Sequence, residues 1–284
     1  MTSFEYVRPE SLDELLSLLR VHGPHARLLA GGTDLLVRLR KAPPFGFGEA
    51  SDTPPVVIDL KRVAALRADV VDVDGRIRIG ARAVMTDIID DKRIRALFPA
   101  LVEAAMVVGS VQIRNRATLT GNLCNASPAA DTAPALLGYG AHLNLISAAG
   151  SRQMPLDDFF TGPGRTLLAP GEIVESIDIP EPRECTGGAF ARLTRRHGVD
   201  LAIVSVCCVI RESGDVRFAF GAVGPRPLTV VCRHDVSLDE VVKNATPISD
   251  LRAAAEYRAA MLRVLARRAL NTAQARLHRA QHSA

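Results

Sequence analysis

Apolar and polar positions along the chain follow two alternating periods. In residues 11–23, "SLDELLSLLRVHG", the leucines share one helical face. Ser11 with Glu14 three residues on makes an N-terminal cap, and Gly23 marks the end. A short apolar run, "ARLLAGG" (26–32), predicts a strand ending in two glycines, and "TDLLVRLRK" (33–41) predicts a helix with Thr33 or Asp34 as cap. The Pro/Gly stretch over 42–55 reads as a loop and a break between two subdomains. Beyond it, "VVIDLKRV" (56–63) is a predicted strand, and residues 69–83 alternate around Asp74-Gly75 as a hairpin does. Residues 84–108 are helical with an interruption at Phe98-Pro99.

The pattern then loses its regularity. Between two apolar ends, residues 108–146 are dense in Gly, Asn, Ser, Thr and Pro, and a loop-rich stretch of that length in a compact domain is usually functional. Strand, turn and strand follow over 141–160, and another strand at 173–180 runs into a Pro-containing linker near Ile179 to Glu184, the main predicted domain boundary. The C-terminal part predicts three strands (188–196, 201–212 and 215–223) in an antiparallel sheet, then helices to the end. The expectation is an α+β protein: one domain over 1–179, with subdomains of about 1–53 and 54–179, and a second domain over 185–284.

Composition narrows the function classes. The 284 residues are 48% hydrophobic but only 4% aromatic, with no Trp, so the core must be aliphatic. Lys and Arg number 35 against 31 Asp and Glu, interspersed except in the basic C-terminal helix, and no nucleic-acid motif or set of stacking aromatics accompanies them. The cysteines, Cys124, Cys185, Cys207, Cys208 and Cys232, form no C-x-x-C pair, and the seven histidines, His197 among them, have no companions at ligand spacing. No metal site and no catalytic residue is predicted. The N-terminus has no apolar signal core and no run reaches membrane-spanning length, which predicts a cytoplasmic protein without a membrane span.

The chemistry concentrates in two small-residue stretches. "AGGTD" (30–34) joins a strand to a helix start, a setting in which free backbone N–H groups bind anions. "TLTGNLCNASPAAD" (118–131) holds small residues, N–H donors and one carboxylate but no Lys or Arg. Two such loops can cradle a pyrophosphate, with Asp131 either capping a helix or accepting from a ribose hydroxyl. Arg114 and Arg116, which flank the second loop, suit structural or ligand contacts equally. No Walker-type G-x-x-x-x-G-K, dinucleotide G-x-G-x-x-G or G-x-S-x-G element is present.

In their order and spacing, "AGGTDLL" and "VGSVQIRNRATLTGNLCNASPAADTAPALL" resemble the FAD-binding (medium) subunits of molybdenum hydroxylases, the carbon monoxide dehydrogenase medium-subunit and xanthine dehydrogenase flavin-domain family. Residues 159–180, 190–210, 220–228 and 248–270 extend the resemblance over nearly the whole chain. It implies a two-subdomain FAD-binding domain followed by a C-terminal domain. It also implies pyrophosphate loops at Ala30, Gly31, Gly32, Thr33 and Asp34 and at Thr118, Leu119, Thr120, Gly121 and Asn122, an acidic flavin contact at Asp131 and a backbone contact at Val174. Ala117 and Thr120 stand where the family pattern R-N-x-G-[ST]-[IL]-G-G-N has glycine. If position 120 needs positive φ, Thr is costly there; alternatively its hydroxyl donates to phosphate.

The implied role is electron transfer through FAD, from the 2Fe–2S clusters of a small partner subunit to an external acceptor, with hydroxylation at a large molybdopterin-binding subunit. A cysteine-bearing insertion for a 4Fe–4S cluster is absent from the sequence. A stand-alone FAD-dependent oxidoreductase is the alternative, and a flavin-free scaffold the third reading.

Overall fold

The computed structural model describes residues 3–40, 54–196 and 198–283; the predicted loop over 42–55 falls mostly outside these, as does His197. The chain begins with a three-stranded parallel sheet in which β1 (Glu5–Val7) and β2 (Ala26–Leu29) flank β3 (Val56–Asp59). Helix α1 (Leu12–His22) lies between β1 and β2, and α2 (Leu35–Arg40) follows β2. Ser11 caps α1 by accepting from the Glu14 N–H, and Gly23 ends it at positive φ. Leu15, Leu16 and Leu19 pack on Val56, Ile58, Val63 and Leu66. The predicted subdomain break at residue 53 therefore needs correction. The central strand of the first sheet lies beyond it, so the loop interrupts one layer and does not separate two.

The second sheet is antiparallel, in the order β4 (Val70–Asp72), β5 (Arg76–Gly80), β10 (Ile173–Pro180), β6 (His142–Ser147), β7 (Gly150–Pro155). Its first hairpin turns through Asp74 and Gly75, both at positive φ as a two-residue type I′ turn requires, with Val73 and Arg76 exchanging backbone hydrogen bonds. Six helices connect and cover this sheet: α3 (Met85–Asp90), α4 (Lys92–Leu97), α5 (Pro99–Met106), α6 (Val111–Arg114), α7 (Leu119–Cys124) and α8 (Thr132–Gly138). Pro99 opens α5 at the first helical position, where its missing N–H costs nothing. The second strand predicted over 151–160 ends at Pro155. The short helix α9 (Leu156–Phe159) and the ribbon β8 (Phe160–Gly162) with β9 (Arg165–Thr166) follow it.

After Pro180 the chain builds a separate antiparallel sheet of β11 (Thr186–Leu193), β12 (Val204–Arg211), β13 (Asp215–Gly221) and β14 (Leu228–Arg233). The predicted sheet of three strands thus has a fourth: β14 pairs with β13 from Asp215↔Arg233 to Phe220↔Leu228. Helix α10 (Leu238–Val242) and the 29-residue α11 (Ala255–Ser283) complete the fold. Val206, Cys208 and Ile210 of β12 face a core shared with α11, while Cys207 and Val209 join the core of the N-terminal part. Burial on both faces explains the unbroken apolar run at 202–210.

The two parts meet through polar contacts as well. Glu103 of α5 accepts from the Phe190 N–H at 2.8 Å and pairs with Arg276 of α11, whose guanidinium also donates to Gly188 O. Tyr139 receives the Ala100 N–H on its hydroxyl oxygen and lies where a side chain at Gly188 would stand.

Candidate cofactor site

A cavity of about 840 Å³ opens where the first sheet, the helical middle and the C-terminal domain converge. Ala30, Gly31, Gly32, Thr33 and Asp34 line one side of it. Thr118, Thr120, Gly121, Asn122, Asp131 and Val174 line the others. Leu119 is the predicted site residue that lies apart: its side chain is fully buried in the central core and its N–H donates to Ala83 O.

The first loop turns from β2 into α2. The first recorded bond of this helix start runs from Leu36 N–H to Gly32 O, so the N–H groups ahead of it lack helical partners. Gly32 sits at φ +77°, open to glycine at little cost. Gly31 has a different reason: a Cβ there would stand 2.0 Å from the Arg116 carbonyl oxygen. The two loops are in backbone contact, and Arg38 of α2 adds a second tie by donating to Asn125 Oδ1 beyond α7.

The second loop consists of two short helices joined by a turn. Ser110 caps α6 by accepting from Ile113 N–H, and Thr118 caps α7 by accepting from Gly121 N–H. Arg114 closes the preceding turn onto the carbonyls of Val108 and Gly109. Thr120 sits in the first turn of α7 and is not among the described residues at positive φ, so the replacement of glycine at this position carries no backbone strain. Its hydroxyl is buried without a hydrogen-bond partner. Asn122 accepts from the Thr132 hydroxyl at 2.6 Å, which steadies the start of α8 against α7.

Asp131 stands at the N-terminus of α8 but makes no capping bond. Oδ2 accepts from Arg192 Nη1 at 2.8 Å, while Oδ1 is buried and unpartnered. Desolvation lifts its carboxyl to about 6, against the opposing pull of the Arg192 charge and hydrogen bond. The sequence reading missed Arg192, which comes from β11 in the C-terminal domain. The same domain supplies Arg196, Val199, Asp200 and Leu201 to the cavity wall, and Asp200 Oδ2 is a further buried, unpartnered oxygen. Desolvation also pushes the thiol of Cys124, on the cavity wall, up to about 12, so it stays protonated.

A buried polar atom without a partner costs about 1–3 kcal/mol, and native sites keep such atoms where a ligand or water satisfies them. Here Thr120 Oγ1 offers a donor and Asp131 Oδ1 an acceptor in the wall of a cavity gripped by two backbone loops. That donor set suits a cofactor carrying both phosphate and hydroxyl groups. Fold and site together describe a protein that clasps a dinucleotide-sized cofactor between a strand–helix turn and a pair of capped helices. The chain belongs to the family of the FAD binding domain in molybdopterin dehydrogenase, whose model matches residues 2–182. It is similar to the xanthine dehydrogenase FAD-binding subunit of Escherichia coli O157:H7, at 31% identity over 95% of this chain and 96% of that one. The carbon monoxide dehydrogenase medium chain of Hydrogenophaga pseudoflava is 33% identical over 96% of this chain and 98% of its own. A solved carbon monoxide dehydrogenase from Hydrogenophaga pseudoflava, lacking the Mo-pyranopterin moiety of its molybdenum cofactor, superposes with a TM-score of 0.88 over 97% of this chain and 99% of that one, at 32% identity. The chain is an FAD-binding subunit of the molybdenum-hydroxylase kind and a component of a flavin-dependent dehydrogenase.

Proposed function

We propose that this chain is the electron-relay subunit of a molybdenum-containing hydroxylase. It takes electrons from the 2Fe–2S clusters of a small subunit and passes them to an external acceptor, while substrate is oxidised at a large molybdopterin-binding subunit. The observation that carries the cofactor part is the pair of unpartnered buried atoms, Thr120 Oγ1 and Asp131 Oδ1, in the wall of the two-loop cavity. FAD, when bound, supplies a ring system able to take up electrons singly and give them up in pairs.

The residues of the chain bind and orient. Ala30 to Asp34 and the start of α7 present backbone N–H groups to a pyrophosphate without cationic side chains. Leu119 supports that start from behind. Asn122 braces α8, Asp131 accepts from a cofactor hydroxyl, and Val174 contributes to the wall beside the ring. Placement is the whole task of such a subunit, since oxidation of the substrate occurs on another chain.

The partners are a large molybdopterin-binding subunit and a small 2Fe–2S subunit. The printed names of the relatives support this: they include medium chains and a subunit of a dehydrogenase complex. We assign the complex to the cytoplasm; free cysteines support this reading, and no described helix is long and apolar enough to cross a membrane.

The test is a visible spectrum of the purified chain, mixed with FAD and passed through a desalting column. Retained flavin bands support the site. Bleaching of those bands by substrate only when the large and small subunits are added supports the relay role. A chain reduced directly by a small substrate without partners would overturn it.

A further inference from the structure

We propose that Arg192, contributed by the C-terminal sheet, is a positioning residue of the FAD site: it holds Asp131 in its ionised form, with one carboxylate oxygen left to accept from a hydroxyl of the cofactor. The proposal rests on the reading of the cavity as an FAD site. The geometry that carries it is the split between the two carboxylate oxygens. Oδ2 is engaged by Arg192 Nη1 at 2.8 Å, while Oδ1 is buried in the cavity region with no partner. Both side chains are largely withdrawn from solvent, the Arg192 side chain 13% and the Asp131 side chain 9% exposed. A carboxylate in such surroundings takes up a proton unless a cation faces it. Once protonated it becomes a donor on one oxygen and a poor acceptor for a hydroxyl.

Arg192 also reaches past Asp131, with contacts of 3.5 Å from its guanidinium to the carbonyls of Gly198 and Asp200. The same group therefore sets the cofactor-facing carboxylate and steadies the loop that walls the cavity. The charged groups around Asp131 are few. Its own helix start brings none, and α7 presents the neutral Thr120 and Asn122. The loop after β11 brings Asp200 and Arg196, which face each other at 3.9 Å, and the first loop brings Asp34 and Arg38 to the far wall. Arg192 is the cation in contact with the carboxylate.

The test is FAD affinity of the full chain by flavin fluorescence titration, repeated over about pH 5 to 8, in the window where a raised carboxyl titrates. For the native chain, affinity should fall below a midpoint near 6. In Arg192→Gln the midpoint should rise by roughly one unit. That makes binding about two-fold weaker at pH 7 and nearly native at pH 8, because the lost cation matters only where the carboxyl can be protonated. Asp131→Asn should bind FAD weakly with no midpoint in this range. Arg192→Lys keeps the charge but loses the planar fork, and its midpoint should fall between those of the native chain and the Gln variant. If the Gln variant does not fold, the Lys variant decides. A variant weaker by the same factor at every pH, or one with an unmoved midpoint, overturns the positioning role and leaves the FAD site standing. A native chain that binds no FAD at any pH overturns both.

Discussion

The Cβ position of Gly31 lies 2.0 Å from the carbonyl oxygen of Arg116, so the two cofactor loops touch backbone to backbone. No rotamer relieves that contact, because neither atom belongs to a flexible side chain. Gly31→Ala must push the loops apart. We expect a stability loss of about 1–3 kcal/mol, as for other forced overpacking, and FAD washed out on desalting. Thermal melts with and without FAD check both. A melting temperature equal to native would mean that the loops adjust at no cost.

Thr120 supplies the clearest separation of binding from stability. Its hydroxyl is buried and unpartnered in the free chain, so Thr120→Val removes a desolvation penalty there and a hydrogen bond from the loaded chain. We expect FAD affinity to drop by a factor corresponding to about 0.5–1.5 kcal/mol, while the FAD-free chain melts no lower than native. Thr120→Gly should not improve binding, because the position is helical and glycine costs helix stability. Equilibrium titration with FAD checks these orders.

Asp131 couples the site to pH. Its folded-state carboxyl lies at about 6, above its usual 3.8. The folded chain thus holds this proton more tightly than the unfolded chain. The resulting stabilisation is fully present below the ordinary carboxyl value and lost as pH rises through about 6. In the FAD-free chain this loss is on the order of 1–3 kcal/mol. Because other carboxylates, Asp59 and Asp178 among them, are shifted downward and act oppositely, the signature is the difference in melting temperature between the native chain and Asp131→Asn at each pH. That difference should change sign or size across the window without FAD and flatten when FAD is bound.

Glu103 ties the helical middle to the C-terminal domain through the Phe190 N–H and Arg276. Glu103→Ala leaves both donors without their acceptor. As the pair is partly solvated, the cost should be on the order of 1 kcal/mol. Limited proteolysis should then cut the 181–185 linker faster than in the native chain. An unchanged cleavage rate would show that the apolar contact carries the interface alone.

Much of the site was legible because its reasons are local. Gly31, Gly32 and Thr118 serve strand–helix turns and caps that short sequence windows reveal. What escaped the sequence depends on distance. Arg192 meets Asp131 across 61 positions, and inside "GAFARLTRR" it looks like any polar residue on an amphipathic strand. Strand β14 follows a Pro-rich turn and is half-exposed along most of its length, so its alternation is too shallow to stand out from loop. The break read at residue 53 came from composition, which marks a loop but cannot tell whether a later strand returns to the same sheet. At Thr120 the family pattern suggested glycine, while the cap one turn earlier makes the position helical and suited to a side chain.

The family match ends at residue 182, yet the cavity does not. Its wall includes Arg196, Val199, Asp200 and Leu201, and its acidic residue leans on Arg192. The unit that folds as the conserved module is therefore smaller than the unit that keeps the cofactor. A chimera made by transplanting only the first 182 residues into another scaffold would carry the glycine loops and lose the back of the pocket. Any exchange of modules between relatives has to cut after the second strand of the following sheet, so that the pocket travels whole.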